Sequence, residues 1–262
     1  MFFSTNRAEQ FEEVFIENKS PDSLLISMQE CNYLASSIVI ETAPSEIVFL
    51  VKNGNVKSTL SGGKIKLTPK KCECIEEVST SFGVSGIKIN CDVYFIRKDV
   101  DDIELVWYMS IPILKTQERT FSVKLDGYYK IQIDEPALLI EKLFDYYHST
   151  YNNDFEHLPN PIHRFVRDYI QNGLFIKISA DIEPILTEYL KKPIYAEALD
   201  RLVNNYTVDF ISIEGYLSGI MKHIIRNFDN QIKPIIFASF KESGLLCSNM
   251  TLEHCEIKNC QQ

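Results

Sequence analysis

Three segments decide the fold: Lys88-Ile-Asn-Cys-Asp-Val-Tyr-Phe-Ile96, Ile103-Glu-Leu-Val-Trp-Tyr108, and Thr120-Phe-Ser-Val-Lys-Leu-Asp-Gly-Tyr-Tyr-Lys-Ile-Gln-Ile133. In the third, Phe121, Val123, Leu125 and Gly127 alternate with Ser122, Lys124 and Asp126, and Tyr129, Ile131 and Ile133 continue the first series. A period of two sustained this long predicts a half-buried strand of an antiparallel sheet. Asp134-Glu-Pro136 ends the strand and opens a helix, with Pro136 suited to the first helical position.

The strand pattern extends upstream. Phe11–Ile16 reads as a strand or a short helix, and Leu24–Ile26 is the next apolar piece. Ser37–Ile40 and Ile47–Val51 read as two strands flanking Ala43-Pro-Ser45. Asn53-Gly54 predicts a hairpin turn. Asn55–Leu60 returns, and Gly62-Gly63 predicts a second turn into Lys64–Leu67. Together these make an antiparallel meander through residue 133.

Downstream the period changes. Leu139, Ile140, Leu143, Phe144 and Tyr147 recur at helical spacing. The polar, proline-bearing stretch 151–161 reads as a loop. Ile162, Phe165, Val166, Tyr169 and Ile170 form a second helical stripe, which Gly173 is expected to stop. Ser179-Ala-Asp181 reads as a turn before the helical Ile182, Ile185, Leu186 and Tyr189; Pro193 breaks that helix, and Ala196–Val203 forms a short one. Ser212 is the expected N-cap of a long helix, and another restarts at Pro234 and stops at Gly244. Met250–Ile257 reads as a terminal strand, and 258–262 as a frayed end. The fold class is therefore α/β in α+β order: an N-terminal curved antiparallel sheet packed against C-terminal helices. Three segments follow: a β-rich part with the first helix (1–147), a helical insertion (148–211), and closing helices with a terminal strand (212–262).

Composition bounds the function. A net charge of −9 and a pI near 5.2 leave no global basic footprint, so nucleic acid is not an expected partner. Lys64, Lys66, Lys70 and Lys71 form the one local basic cluster and read as a lysine-blunted strand edge. No apolar leader follows Met1, and the longest apolar run, Ile47–Val51, is far short of the roughly 20 residues of a spanning helix. The expected location is cytoplasmic, with peripheral contact at the inner membrane face through Phe2 and Phe3 as a candidate wedge. The seven cysteines read as reduced thiols. Cys72 and Cys74 alternate on a strand, and Cys247, Cys255 and Cys260 with His254 lack the paired spacing of structural zinc. No metal or cofactor is expected.

The chain carries no nucleophile elbow, phosphate loop or dinucleotide fingerprint. Ser61-Gly-Gly-Lys64 lacks the remaining phosphate-loop residues and sits between strands. His148, His157 and His163 lie around the polar loop but are separated by prolines. Trp107, the only tryptophan, reads as a core anchor.

One resemblance gathers these pieces. Asp92-Val-Tyr-Phe-Ile-Arg-Lys-Asp99, Trp107, Ile111-Pro112, Val123-Lys-Leu-Asp-Gly-Tyr-Tyr-Lys-Ile-Gln-Ile133 and Asp134-Glu-Pro136 occur in the order and spacing of the SPFH superfamily. This is the stomatin, prohibitin, flotillin and HflK/C group, also called band 7, and the bacterial virion-core-protein-like branch is the nearest in pattern. Ser37–Gly54 resembles that branch's N-terminal hairpin, and Ser212–Ile257 its closing helix and strand. The resemblance covers about residues 11–147 and 212–257. Trp107-Tyr-Met departs from the branch's Trp-Gly-Thr, and 148–211 has no counterpart.

The resemblance implies a curved sheet on helices and a non-enzymatic scaffold or adaptor at or near a membrane, prone to self-assembly, with no catalytic residues to carry over. Two other readings stand beside it. One is a protein-binding module acting through the 148–211 insertion, with Phe165 and Tyr169 as candidate partner-binding residues on an exposed aromatic face. The remote one is a hydrolase built on the loop histidines.

Overall fold

The protein is described from a computed structural model, which describes residues 12–18, 26–70, 72–79, 85–97, 103–115, 119–151, 158–159, 162–190 and 210–261. The α+β class holds: strands occupy the first half and helices the second, with two short strands at the end. The chain divides into two compact units, and neither is a continuous segment. The first comprises residues 1–101 and 135–167; the second comprises 102–134 and 168–262.

In the first unit, β1 (Glu13–Ile16), β3 (Ser37–Lys52), β6 (Ser85–Arg97) and β2 (Ile26–Ala35) lie side by side. β4 (Asn55–Leu67) pairs with β3, and β5 (Ile75–Ser79) with β6. The meander expectation is corrected here: β3–β4 and β5–β6 are sequence neighbours, but β3 pairs with β6 and β6 with β2 across the sequence, and β1 runs parallel to β3. Asn53 and Gly54 make the predicted hairpin turn with φ of 52° and 73°, the left-handed pair a tight two-residue loop needs.

Ala43-Pro-Ser45 does not separate two strands. β3 runs through it, with a register shift between Thr42 and Ile47. The Glu46 carboxylate clamps the bulge by accepting from the Ala43 N–H (3.0 Å) and the Asn18 side-chain amide (2.8 Å). Opposite the bulge, Gly62 and Gly63 take φ of 91° and 85° within β4, so they bend the strand instead of turning the chain. Thr42 Oγ1 holds that bend by accepting from the Gly63 N–H at 2.9 Å. Around this curl, Ile16, Ile38, Ile40, Val48, Leu50, Leu67, Ile89, Val93 and Phe95 form one buried core. Helix α1 (Pro136–Tyr151) buries Leu139, Ile140, Leu143 and Phe144, and the Phe165 ring of α2 (Ile162–Asp168) meets Tyr146 and Tyr147.

In the second unit, β7 (Ile103–Lys115) pairs with one side of β8 (Arg119–Ile133). β9 (Leu245–Ser248) and β10 (His254–Gln261) share its other side. The expected frayed end is a correction: Lys258 to Gln261 pair with Ser122 to Arg119.

Gly173 does not stop a helix. It lies in a π-helical turn, Tyr169–Leu174, which runs on into α3 (Phe175–Leu190). The Ser179–Asp181 turn is likewise absent, because Ser179 Oγ satisfies itself on the Phe175 carbonyl one turn back (2.7 Å). Ser212 falls inside α4 (Phe210–Asn227), which a second π-helical turn, Phe228–Ile232, joins to α5 (Lys233–Lys241). Gly244, at φ 73°, ends α5 as expected. The segment around Ala196–Val203 lies outside the described residues.

The core of this unit is aromatic. Trp107 is fully buried, stacked between Phe175 and Phe228 with ring centroids 6.0 and 5.8 Å away. Tyr129, Phe175 and Phe240 add edge-on contacts. The indole Nε1–H donates to the Thr251 carbonyl at 3.0 Å. That carbonyl comes so close to β8 that a Cβ on Gly127 would lie 2.1 Å from it.

Candidate functional site

Strand parity sorts the side chains of the four-stranded sheet. Trp107, Met109 and Ile111 on β7, and Val123, Leu125, Tyr129 and Ile131 on β8, point into the core. The even positions point outward, and there the apolar rule breaks. Val106 is 63% exposed, Tyr108 57% and Tyr128 44%. Val106 lies directly opposite Tyr128, and Tyr108 opposite Asp126, so the three side chains form one patch across two strands. Leu246, opposite Gln132, is a further exposed apolar residue on the same face.

A ring of charge surrounds the patch. His254 Nδ1 lies 2.9 Å from Asp126 Oδ2, and Lys258 Nζ 2.6 Å from Glu256 Oε1. Glu104 faces Lys130, and Lys124 faces Glu256, in direct register. Glu104, Asp126 and Glu256 are thus balanced by Lys124, Lys130 and Lys258. A neutral face is notable on a chain of net charge −9. Exposed aromatics ringed by charge make a surface suited to protein contacts.

The sequence-predicted residues fall elsewhere. Phe165 and Tyr169 are buried, the former against Tyr146 and Tyr147, the latter donating its hydroxyl to Ser243 Oγ at 2.9 Å. The expected exposed aromatic face is therefore corrected: helical spacing marked a core stripe. Phe2, Phe3, His157 and Lys71 lie outside the described residues. His148 is exposed near the end of α1 and His163 is half-buried on α2. Among the described residues, no group of three His, Cys, Asp or Glu could hold a metal ion. Lys64 pairs with Glu41 at 3.1 Å across β3 and β4, as a strand-edge lysine does. No helix among the described residues is long and apolar enough to cross a membrane.

Cys31, Cys72, Cys74 and Cys91 are core thiols. Cys72 and Cys74 lie in the turn before β5 instead of on a strand, and both are buried with Cys31 and Cys91. The hydrogen bond to Cys74, then burial, pushes the Cys72 thiol far up. The Cys72 contact pulls Cys74 down, but the Cys91 thiol and burial outweigh it and push Cys74 up to about 12. Burial alone holds Cys255 at about 11. Thiols so protonated are poor nucleophiles near neutral pH. On β6, burial first and the Asp92 charge second hold the Tyr94 phenol well above its ordinary value.

The signal for the outward patch was present in the alternation. Tyr128 shares parity with Ser122, Lys124 and Asp126, a polar series, so an aromatic there faces water. Val106 and Tyr108 needed the β7–β8 register, which only the fold supplies. No protein-family model, no curated protein and no solved structure matches this chain.

Proposed function

We propose that this chain is a non-enzymatic scaffold or adaptor of the SPFH type. It works on the cytoplasmic side, at a membrane surface or within a partner complex, and binds other proteins and further copies of itself through the outer face of the four-stranded sheet. The observation that carries this reading is the patch of Val106, Tyr108 and Tyr128, exposed on a rigid sheet and ringed by balanced charge. Exposed aromatics grouped on one face favour protein contact over solvent. Charge balance favours self-association in particular, because copies of a chain at −9 repel one another least where opposite charges offset each other locally. Light scattering with liposome flotation tests the proposal. Assemblies above the 30.3 kDa monomer, or flotation, are expected. A strict monomer that also fails to float removes the scaffold reading.

A further inference from the structure

β7 is a sheet edge. Among the described residues it pairs as a strand with β8 alone. The direction of its free backbone groups follows from β8. The Thr251 and Glu253 N–H groups donate to the carbonyls of Tyr128 and Asp126, so the even residues of β8 bond away from β7. Its odd residues must therefore bond toward β7, and their partners there are Leu105, Trp107 and Met109. The even residues Glu104, Val106, Tyr108, Ser110 and Pro112 consequently turn their N–H and C=O groups to the open edge.

Such a row is a template for strand addition by another chain. It is also antiparallel-compatible with itself, so a second copy of β7 can approach across a two-fold axis. Three features oppose this. Pro112 puts a nitrogen without a hydrogen on the edge, and the register shift between Pro112 and Leu114 bends the strand beyond it. In the middle of the open row, Gln171 donates its side-chain amide to the Tyr108 carbonyl at 2.9 Å. Gln171 projects from the π-helical turn Tyr169–Leu174, whose neighbours Tyr169, Ile170 and Leu174 are buried. The amide is thus delivered from an anchored turn and occupies the place a partner strand's N–H would take.

We propose that Gln171 is a plug on the β7 edge that prevents strand addition by a second copy of the chain, so that self-association is directed away from the edge. Strand addition in the intact protein must first displace this amide. Removing the donor lowers the concentration needed for edge pairing by about thirtyfold, the equivalent of one ordinary hydrogen bond in each of the two copies.

The test compares wild type with Gln171→Met, which keeps length and helix propensity without a donor, and with Gln171→Lys, which keeps a donor. Sedimentation velocity over a concentration series and residue-resolved amide exchange are read together, relative to wild type, so assembly through the sheet face cancels. Gln171→Met is expected to associate at about thirtyfold lower concentration, with new protection at the Val106, Tyr108 and Ser110 amides. Gln171→Lys stays at wild-type mass. Ser110→Pro added to Gln171→Met blocks the partner strand without costing a bond to β8, and restores the wild-type mass. The proposal is overturned if Gln171→Met matches wild type, or if it associates with those amides still exchanging freely or without reversal by Ser110→Pro. Unchanged Trp107 emission confirms that each variant is folded.

Discussion

Gly127→Ala tests whether the aromatic core and the 249–253 crossing are one device. A Cβ there would sit 2.1 Å from the Thr251 carbonyl oxygen, 2.9 Å from its carbon and 3.1 Å from Trp107 Nε1. Ordinary contact requires Thr251 to withdraw by about 1 Å. Thr251 is held by its N–H to the Tyr128 carbonyl (2.8 Å) and by the Trp107 indole on its own carbonyl (3.0 Å). Losing both costs about 2 kcal/mol, and the indole N–H left unsatisfied in the core costs about 1–3 kcal/mol more. Alanine returns about 0.4–1 kcal/mol by stiffening the unfolded chain. The net destabilisation is about 2–4 kcal/mol, worth roughly 1–2 M in urea midpoint at a slope of about 2 kcal/mol/M. Trp107 is the only tryptophan, so its emission reports directly on this site. Urea unfolding followed at that emission should show the lower midpoint, with a red shift before unfolding. An unchanged midpoint with an unshifted spectrum would refute the close approach of Thr251 to β8.

Gly54→Ala should cost about 1–2 kcal/mol through its left-handed backbone alone, more because its Cβ would press within 3.3 Å of the Phe144 ring. Gly62→Ala, also at positive φ but with nothing within 4 Å, should show only the backbone part, and thermal melts of the two variants measure the difference. Tyr169→Phe removes the donor to Ser243 Oγ and should lower stability by about 1 kcal/mol in urea titration, with the fold retained. Cys74 and Cys255 are held at about 12 and about 11 against an ordinary 9.0, so the unfolded chain releases these protons first as pH rises. Their contribution to stability is complete below pH 9 and is lost between about pH 9 and 12, which urea midpoints across that range should trace.

Local periodicity made much of the fold legible. The alternation from Phe121 to Ile133 is β8, Asn53-Gly54 is a left-handed turn, and Pro136 opens α1. Trp107 is the core anchor its apolar setting indicated. What periodicity could not convey is partnership between distant segments. Gly62-Gly63 looks like a turn in isolation; it bends a continuous strand because β3 bulges opposite it. Gly173 resembles a stop, yet the helix passes through it by a π-turn whose neighbours are fixed by tertiary contacts. For the same reason the helical stripe of Phe165 and Tyr169 could be read as a binding face. An amphipathic stripe looks the same in sequence whether its cover is this chain or another. The outward patch was half legible, since Tyr128 breaks a polar series while Val106 and Tyr108 sit in a run that looks apolar throughout.

Association through the outer sheet face is read by sedimentation of wild type beside Tyr108→Ser/Tyr128→Ser. Both side chains are exposed, so the double variant should keep its fold and its Trp107 emission. Wild-type assemblies should fall to the 30.3 kDa monomer in the double variant. Assemblies of unchanged size in the double variant, or a wild-type monomer at every concentration, would contradict it.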